Sequence, residues 1–140
     1  MIIVDTSVLV SIINEDDADH QRCADWYARS REPLLIPATL VAEVCYMISE
    51  THSTEAVSVE ADFLRDVATS PRLRAVCLED QDYLRMAELV EQYADFPLGG
   101  SDASIIAVAE RLNISTVATL DHRHFRAVRP NHVEAFTLLP

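Results

Sequence analysis

The sequence predicts a single α/β domain with a central, mainly parallel sheet and helices on both of its faces, a three-layer α/β/α architecture. Short apolar runs typical of buried strands alternate with longer segments whose apolar residues recur at helical spacing. Strands separated by helical segments of this length form parallel pairs with right-handed crossovers. The chain has 140 residues, 49% of them hydrophobic, which is enough for one core. We therefore expect one domain over residues 1–140.

The first part of the chain is expected to contain two strands and three helices. Residues 1–4 predict a buried strand, and the apolar positions of residues 8–13 predict a short helix after it. A second helix is expected through residues 23–27, and residues 33–36 predict the second strand. The third helix is expected from Pro37 to about Glu50, because the fixed φ of proline suits the first turn of a helix.

The remainder of the chain continues the alternation. Ser53 is expected to cap a helix that ends near Ser70, and Asp80 and Ser101 are expected to cap two later helices. The strands expected here are residues 73–78, 116–120 and 135–139.

Four acidic residues are expected at one edge of this sheet. Asp5 and Asp121 each end a strand-like run, Asp102 opens a helix, and Glu43 lies among apolar residues of another helix. Ligands of open α/β sheets bind beyond the carboxyl ends of the strands, where the strand order reverses. Carboxylates gathered there repel one another unless a cation lies between them, and their hard oxygen atoms favour Mg²⁺ or Mn²⁺. The pattern predicts a metal-dependent enzyme that cleaves phosphodiester bonds.

Each acid also has an ordinary structural explanation. Asp5 could cap the first helix, Asp102 could face a helix dipole, and Asp121 could form a turn. Glu43 is harder to explain in this way, because a carboxylate among apolar neighbours is costly without a partner. The joint placement of all four acids at one edge favours the metal site.

The charge of the chain limits how it could bind a nucleic acid. Its net charge is −12, which opposes long-range attraction to a polyanion. The chain has no lysine, which excludes a P-loop, and its arginines can bind phosphate bidentately. Arg123, Arg126 and Arg129, close to Asp121, are the candidate RNA contacts; a solvated surface loop is the alternative. His122 and His124 form a His-x-His pair without an evident third metal ligand, and contact with substrate stays open for both.

Composition also bears on location. No apolar run is long enough to span a membrane, and no signal peptide is evident. The three cysteines are far apart and without C-x-x-C spacing, so we expect buried, reduced thiols in a cytoplasmic protein.

Four segments of the chain resemble the motifs of PIN-domain ribonucleases, in order and spacing. The segments are Ile3-Val4-Asp5-Thr6-Ser7-Val8-Leu9-Val10, Pro37 to Val44, Gly100-Ser101-Asp102-Ala103-Ser104-Ile105-Ile106-Ala107, and Thr119-Leu120-Asp121-His122-Arg123-His124-Phe125. The stretch Phe125-Arg126-Ala127-Val128-Arg129-Pro130 is similar to the end of the VapC toxins of bacterial toxin–antitoxin pairs. The resemblance extends over the whole chain.

The resemblance implies a compact PIN-like α/β/α domain with endoribonuclease activity that depends on Mg²⁺ or Mn²⁺. It assigns Asp5, Glu43, Asp102 and Asp121 to the acidic metal site. It also implies that Thr6, Ser7 and Thr119 lie at the site and orient acids or waters. Members of the family act as homodimers, and a small VapB-like antitoxin inhibits them within a hetero-oligomer.

Two other functions fit parts of the sequence. A phosphatase of the haloacid dehalogenase type also begins with a strand-end aspartate, but it needs a second Asp two residues on, where this chain has Ser7. A catalytically degenerate PIN-like module could use its acidity to bind a basic partner. The presence of all four acids argues against the loss of catalysis.

Overall fold

The fold is a five-stranded parallel sheet with seven helices, as seen in a computed structural model that describes residues 1–51 and 55–140. The strands are β1 (Ile2–Val4), β2 (Leu34–Pro37), β3 (Leu73–Val76), β4 (Thr116–Ala118) and β5 (Thr137–Leu139). The helices are α1 (Thr6–Ile13), α2 (His20–Arg29), α3 (Ala38–Thr51), α4 (Ala56–Thr69), α5 (Asp80–Gln92), α6 (Gly100–Leu112) and α7 (His122–Ala127). The predicted α/β class and the parallel sheet are confirmed.

The strand order β3-β2-β1-β4-β5 places the reversal of the sheet between β1 and β4. The chain moves outward from β1 to β3, then crosses back to β4 beside β1, with Ile3 paired to Val117. Right-handed crossovers in opposite directions place α1–α4 on one face and α5–α7 on the other. The carboxyl ends of β1 and β4 are therefore adjacent, and Asp5 and Thr119 lie just beyond them.

The core explains why these strands consist almost entirely of apolar residues. All of β1 and β2 is buried, as expected for a parallel sheet covered on both faces. The middle of α6, from Ala103 to Ala109, is also buried, so this helix fixes the position of the first turn that carries Asp102.

Several expected element boundaries were wrong. Pro37 is the last residue of β2, in register with Val76, and α3 begins at Ala38. Pairing of β2 with β1 ends at Leu35, so the missing N–H of Pro37 leaves no bond to β1 unmade. The strands β3 and β4 end at Val76 and Ala118, earlier than expected.

The helix caps also differ from the expectation. Glu79 occupies the N-cap of α5 in a capping box with Asp82, and Asp80 is the first helical residue. Gly99 is the N-cap of α6, which begins at Gly100, and the Ser101 hydroxyl group bonds to Glu43 instead of capping the helix. The expected cap of α4 at Ser53 lies outside the described residues.

Two expectations from composition can be compared with the structure. None of the helices in residues 1–51 and 55–140 is both long and apolar enough to cross a membrane. All three cysteines are free, but Cys77 is exposed, so the expectation that all of them are buried was wrong.

Candidate active site

The carboxylate of Asp5 is fixed between β1 and β4. It is 8% exposed and follows β1 directly. The Ser7 hydroxyl group donates to its Oδ2 at 2.7 Å, and the buried Thr119 hydroxyl group donates to the same atom at 2.8 Å. The side chain makes no capping hydrogen bond with α1, which removes the capping explanation for Asp5.

The two hydroxyl groups also connect backbone segments. The backbone N–H of Leu120 donates to Ser7 Oγ at 3.1 Å, and that of Asp121 donates to Thr119 Oγ1 at 3.0 Å. One hydrogen-bond chain therefore runs from Asp5 to the backbone of Asp121 and couples the positions of the two acids. Thr6 is buried, and its hydroxyl oxygen has no hydrogen-bond partner among the described residues.

Glu43 is positioned by a hydrogen bond from a helix that is distant in the sequence. It is half-buried on α3, and the Ser101 hydroxyl group in the first turn of α6 donates to its Oε2 at 2.8 Å. The sequence marked Ser101 only as a helix cap. A serine one residue before an acid of the same motif was the available signal, but the pairing joins residues 58 positions apart.

His124 joins the other two acids. Its Nδ1 lies 2.9 Å from Asp102 Oδ2 and 3.1 Å from Asp121 Oδ2. Asp121 is the N-cap of α7 and accepts the backbone N–H of His124 on its Oδ1. The side chain of Asp102 is 16% exposed and that of Asp121 45% exposed, so His124 bridges a buried and a more open carboxylate. His122 makes no such contact, and its Nε2 is buried without a partner in the described part of the chain.

The electrostatics connect all four carboxylates. Burial raises the pKa of Asp102 to about 6, with further upward contributions from the charges of Asp5 and Asp121 and a partial offset from His124. Burial also raises the pKa of Asp5; the hydrogen bonds from Ser7 and Thr119 oppose this, and the charge of Glu43 adds to it. The acids thus lie within range of one another's charge, in a region where negative charge is unfavourable.

The donor chemistry fits a hard divalent cation. Carboxylate oxygens suit Mg²⁺ and Mn²⁺, and a cation among these acids would stabilise the charged forms of Asp5 and Asp102, which burial and neighbouring negative charge disfavour. In residues 1–51 and 55–140, no three His, Cys, Asp or Glu side chains are already converged in the arrangement of a metal site. Binding therefore requires side-chain adjustment, which includes the carboxylates that now contact His124.

The candidate RNA-binding arginines differ in their relation to this site. Arg123 is exposed, and its Cζ lies 5.3 Å from the centroid of the Phe96 ring. That ring packs edge-to-face with His124 at a centroid distance of 5.1 Å, so two side chains lie between Arg123 and the acids. Arg126 and Arg129 are exposed further along the chain, and no hydrogen bond in the described structure connects their side chains to the acids.

The fold is that of one protein family. The PIN domain family model matches residues 2–130, and the chain belongs to the PIN-domain family. A relative in Mycobacterium tuberculosis strain ATCC 25618 / H37Rv, Ribonuclease VapC26, is 30% identical over 138 residues, which cover 99% of each chain.

Solved structures support the same fold. The crystal structure of M. tuberculosis VapC20, described as a sarcin-ricin loop cleaving toxin, superposes with a TM-score of 0.79 and 18% identity, covering 98% of this chain and 100% of that one. The crystal structure of VapBC2 from Rickettsia felis, bound to a DNA fragment from its promoter, matches with a TM-score of 0.69 and 18% identity over the full length of both chains.

Proposed function

We propose that this protein is an endoribonuclease dependent on Mg²⁺ or Mn²⁺ that acts as the toxin of a toxin–antitoxin pair, hydrolysing RNA phosphodiester bonds and so inhibiting translation and growth. The observation that carries the catalytic part is the electrostatic coupling of four acids beside the sheet reversal. The charge of Glu43 adds to the effect of burial in raising the pKa of Asp5, and the charges of Asp5 and Asp121 do the same for Asp102. Raised carboxylate pKa values in a cluster of acids mark a site prepared for cationic charge. Membership of the PIN-domain family and the likeness to Ribonuclease VapC26 support RNA as the substrate.

The four acids would hold the cation. When bound, it would lower the pKa of an attacking water and stabilise negative charge on the attacked phosphate and the leaving oxygen. The side chains that contact the acids orient them by hydrogen bonds. Ser7 and Thr119 orient Asp5, and their hydrogen bonds favour its charged form against the larger opposing effect of burial on its pKa.

The remaining positioning groups act on the other three acids. Ser101 orients Glu43, and a proton on His124 Nδ1 lets it donate to Asp102 or Asp121. No side-chain nucleophile is required. Ser7 is engaged with Asp5 and the backbone of Leu120, so its hydroxyl group serves as a positioning group.

The two other functions fit the site less well. In a phosphatase of the haloacid dehalogenase type, an acid would stand at the position of Ser7, where this chain instead has a hydroxyl group that donates to Asp5. A degenerate binding module has no need for separate hydroxyl groups that orient Asp5 and Glu43. The positioning network favours catalysis.

An antitoxin partner is proposed from the surface of the molecule as well as from the relatives. An apolar pocket of about 230 Å³ lies among α1, α2 and α4, with Tyr27 and Phe63 in its lining and the acids Asp62 and Asp66 beside them. The net charge of −12 and this mixture of apolar and acidic groups suit a basic, partly disordered VapB-like peptide that also covers the acid site. The matching VapBC2 structure, from a toxin–antitoxin system, has the same fold.

We also propose that the protein forms a homodimer in the cytoplasm and a larger hetero-oligomer with the antitoxin. Exposed apolar side chains on α3 and α4 supply a surface for the second copy; these are Tyr46, Val57 and Leu64. The cytoplasm is where the RNA substrates of such an enzyme occur.

The proposed function is tested with purified protein and total cellular RNA. We expect discrete cleavage products with Mg²⁺ or Mn²⁺, none in excess chelator, and none from Asp5→Asn. Arg65→Gln, which changes one charge in an exposed ion pair on α4, is the matched control and should cleave like the wild type. Cleavage that survives both chelation and Asp5→Asn would contradict the proposal.

The toxin part needs a separate measurement. Expression of the wild type should arrest growth, and expression of Asp5→Asn should not. Co-expression with a basic small protein encoded beside it should restore growth, and the isolated complex should dissociate at high salt. A chain that cleaves RNA but leaves its host unharmed, and that has no binding partner, would refute the toxin role alone.

A further inference from the structure

Phe96 is an aromatic residue at the acid site that the proposed function does not use. It lies between α5 and α6, two residues before the buried Leu98, and its ring is partly exposed. Phe125, on the neighbouring helix α7, is buried in the core. Phe96 instead faces polar neighbours on two sides.

The ring of Phe96 contacts His124, which lies beside the acids, and Arg123, which is a candidate RNA contact. Its ring packs edge-to-face with the ring of His124, at 83° and 5.1 Å between centroids. His124 Nδ1 in turn lies 2.9 Å from Asp102, so a single side chain separates the ring from the carboxylates. The Arg123 guanidinium lies over the ring at 5.3 Å. This arginine is exposed and the contact is long, so an incoming group can displace it.

We propose that the Phe96 ring is a platform that receives an unstacked base of single-stranded RNA beside the scissile phosphate, and that the base displaces Arg123 from this ring. This inference rests on the proposed ribonuclease function and adds a residue that determines substrate binding. Aromatic rings and guanidinium planes are the surfaces on which single-stranded bases stack. The base packs on the Phe96 ring, and Arg123 moves from the ring to a neighbouring phosphate, where it forms a bidentate contact.

The contact between Phe96 and His124 sets the position of the platform next to the acids. Because His124 lies against Asp102 and Asp121, a base stacked on Phe96 lies one side chain away from the acids. Such positioning places the adjacent phosphodiester bond at the site of cleavage. Single-stranded loops and ends are therefore preferred over duplex, whose bases remain stacked on one another.

The test compares RNA with and without bases. The probes are fluorescent single-stranded oligoadenylate of about eight nucleotides and an oligomer of equal length with abasic ribose throughout, bound to protein carrying Asp5→Asn to prevent cleavage. We expect Phe96→Ala and Phe96→Leu to weaken oligoadenylate binding by about 5- to 150-fold, and binding of the abasic oligomer by less than about twofold. Phe96→Tyr should bind both like the parent.

Two controls separate stacking from general damage. Tyr83 is an aromatic residue that is 54% exposed, next to Asp82, which binds Arg111 at the end of α6 opposite Asp102. Tyr83→Ala should leave both affinities unchanged. Phe96→Leu keeps an apolar group against His124, so a purely structural role would be preserved in that variant and lost only in Phe96→Ala. Melting temperatures confirm that each variant is folded.

A fluorescence measurement adds a direct signal. In a variant with Trp26→Phe and Phe96→Trp, the single tryptophan should be quenched by oligoadenylate and unaffected by the abasic oligomer. Equal losses on both oligomers, or no loss, in the Phe96 variants would overturn the platform while RNA cleavage by the wild type stands. If the wild type neither binds nor cleaves RNA, the proposed function fails, and this inference fails with it.

Discussion

Replacing Asp102 with asparagine should stabilise the protein while abolishing cleavage. Asparagine has almost the same size and can still accept a hydrogen bond from His124, but it carries no charge. Burial and the charges of Asp5 and Asp121 raise the pKa of Asp102 from 3.8 to about 6. Each unit of pKa shift corresponds to about 1.4 kcal/mol, so ionised Asp102 costs the fold about 3 kcal/mol at neutral pH.

The sign and pH range follow from proton binding. Between about pH 4 and pH 6, unfolded chains have lost the Asp102 proton and folded molecules retain it, so the free energy of unfolding falls as pH rises. Above about pH 6 the penalty is fully present, and below about pH 4 it disappears. Asp102→Asn should therefore gain stability over the wild type only as pH rises through this range.

The assay is thermal and urea unfolding of the wild type and Asp102→Asn at several pH values, in chelator. Near neutral pH, the variant should be more stable by about 1–3 kcal/mol, which for a chain of this size is a rise of roughly 2–10 °C in Tm. The difference should shrink towards pH 4. A variant less stable than the wild type at neutral pH, or a difference independent of pH, would refute the electrostatic reasoning.

Three further results are expected. Thr119→Val should lower the free energy of unfolding by about 1–3 kcal/mol and reduce cleavage, because it leaves the Asp121 N–H unpaired and removes a hydrogen bond to Asp5. Urea unfolding measures the lost stability, and an unchanged free energy of unfolding would contradict this prediction. Ser101→Ala should reduce cleavage about 10- to 100-fold with an unchanged Tm, since the only side-chain hydrogen bond it removes is the one to Glu43. Ser49→Ala, on the same helix as Glu43, is the control and should have no effect on cleavage. Equal cleavage rates for the two variants would show that Ser101 does not act at the site. Increasing concentrations of Mg²⁺ should raise the Tm of the wild type, and should raise that of Asp102→Asn much less, as measured by calorimetry. Equal Tm shifts in the two proteins would mean that the ion binds away from Asp102.

The location of the acids at the sheet edge could be predicted from the sequence because it depends on few variables. A parallel sheet brings the carboxyl ends of its strands together, so Asp5 and Asp121 were expected to be neighbours once the strands were recognised. The positions of Asp102 and Glu43 could be predicted once the two helices that carry them were expected to begin near that edge. These expectations survived errors of one to three residues in the element boundaries, because the boundaries do not alter which strands are adjacent.

The contacts of individual side chains could not be predicted. His124 reaches Asp102 because α7 directs it there, and α7 spans six residues, too few to give a helical pattern in the sequence. The Ser101 hydroxyl group had two possible partners, its own helix and Glu43, and only the packing of α6 against α3 selects Glu43. Pro37 likewise suited a helix start by its φ, but the pairing with β3 made it the end of a strand.

The central claim is that Asp5, Glu43, Asp102 and Asp121 together hold a divalent cation. Calorimetric titration of Mn²⁺ into the apo wild type tests it most directly, with each single Asp→Asn or Glu→Gln variant titrated in parallel. The account predicts saturable binding to the wild type that every one of the four substitutions weakens, accompanied by proton release below about pH 6 as Asp102 ionises. The account would be contradicted by undetectable binding to the wild type, or by binding that all four variants retain at full strength.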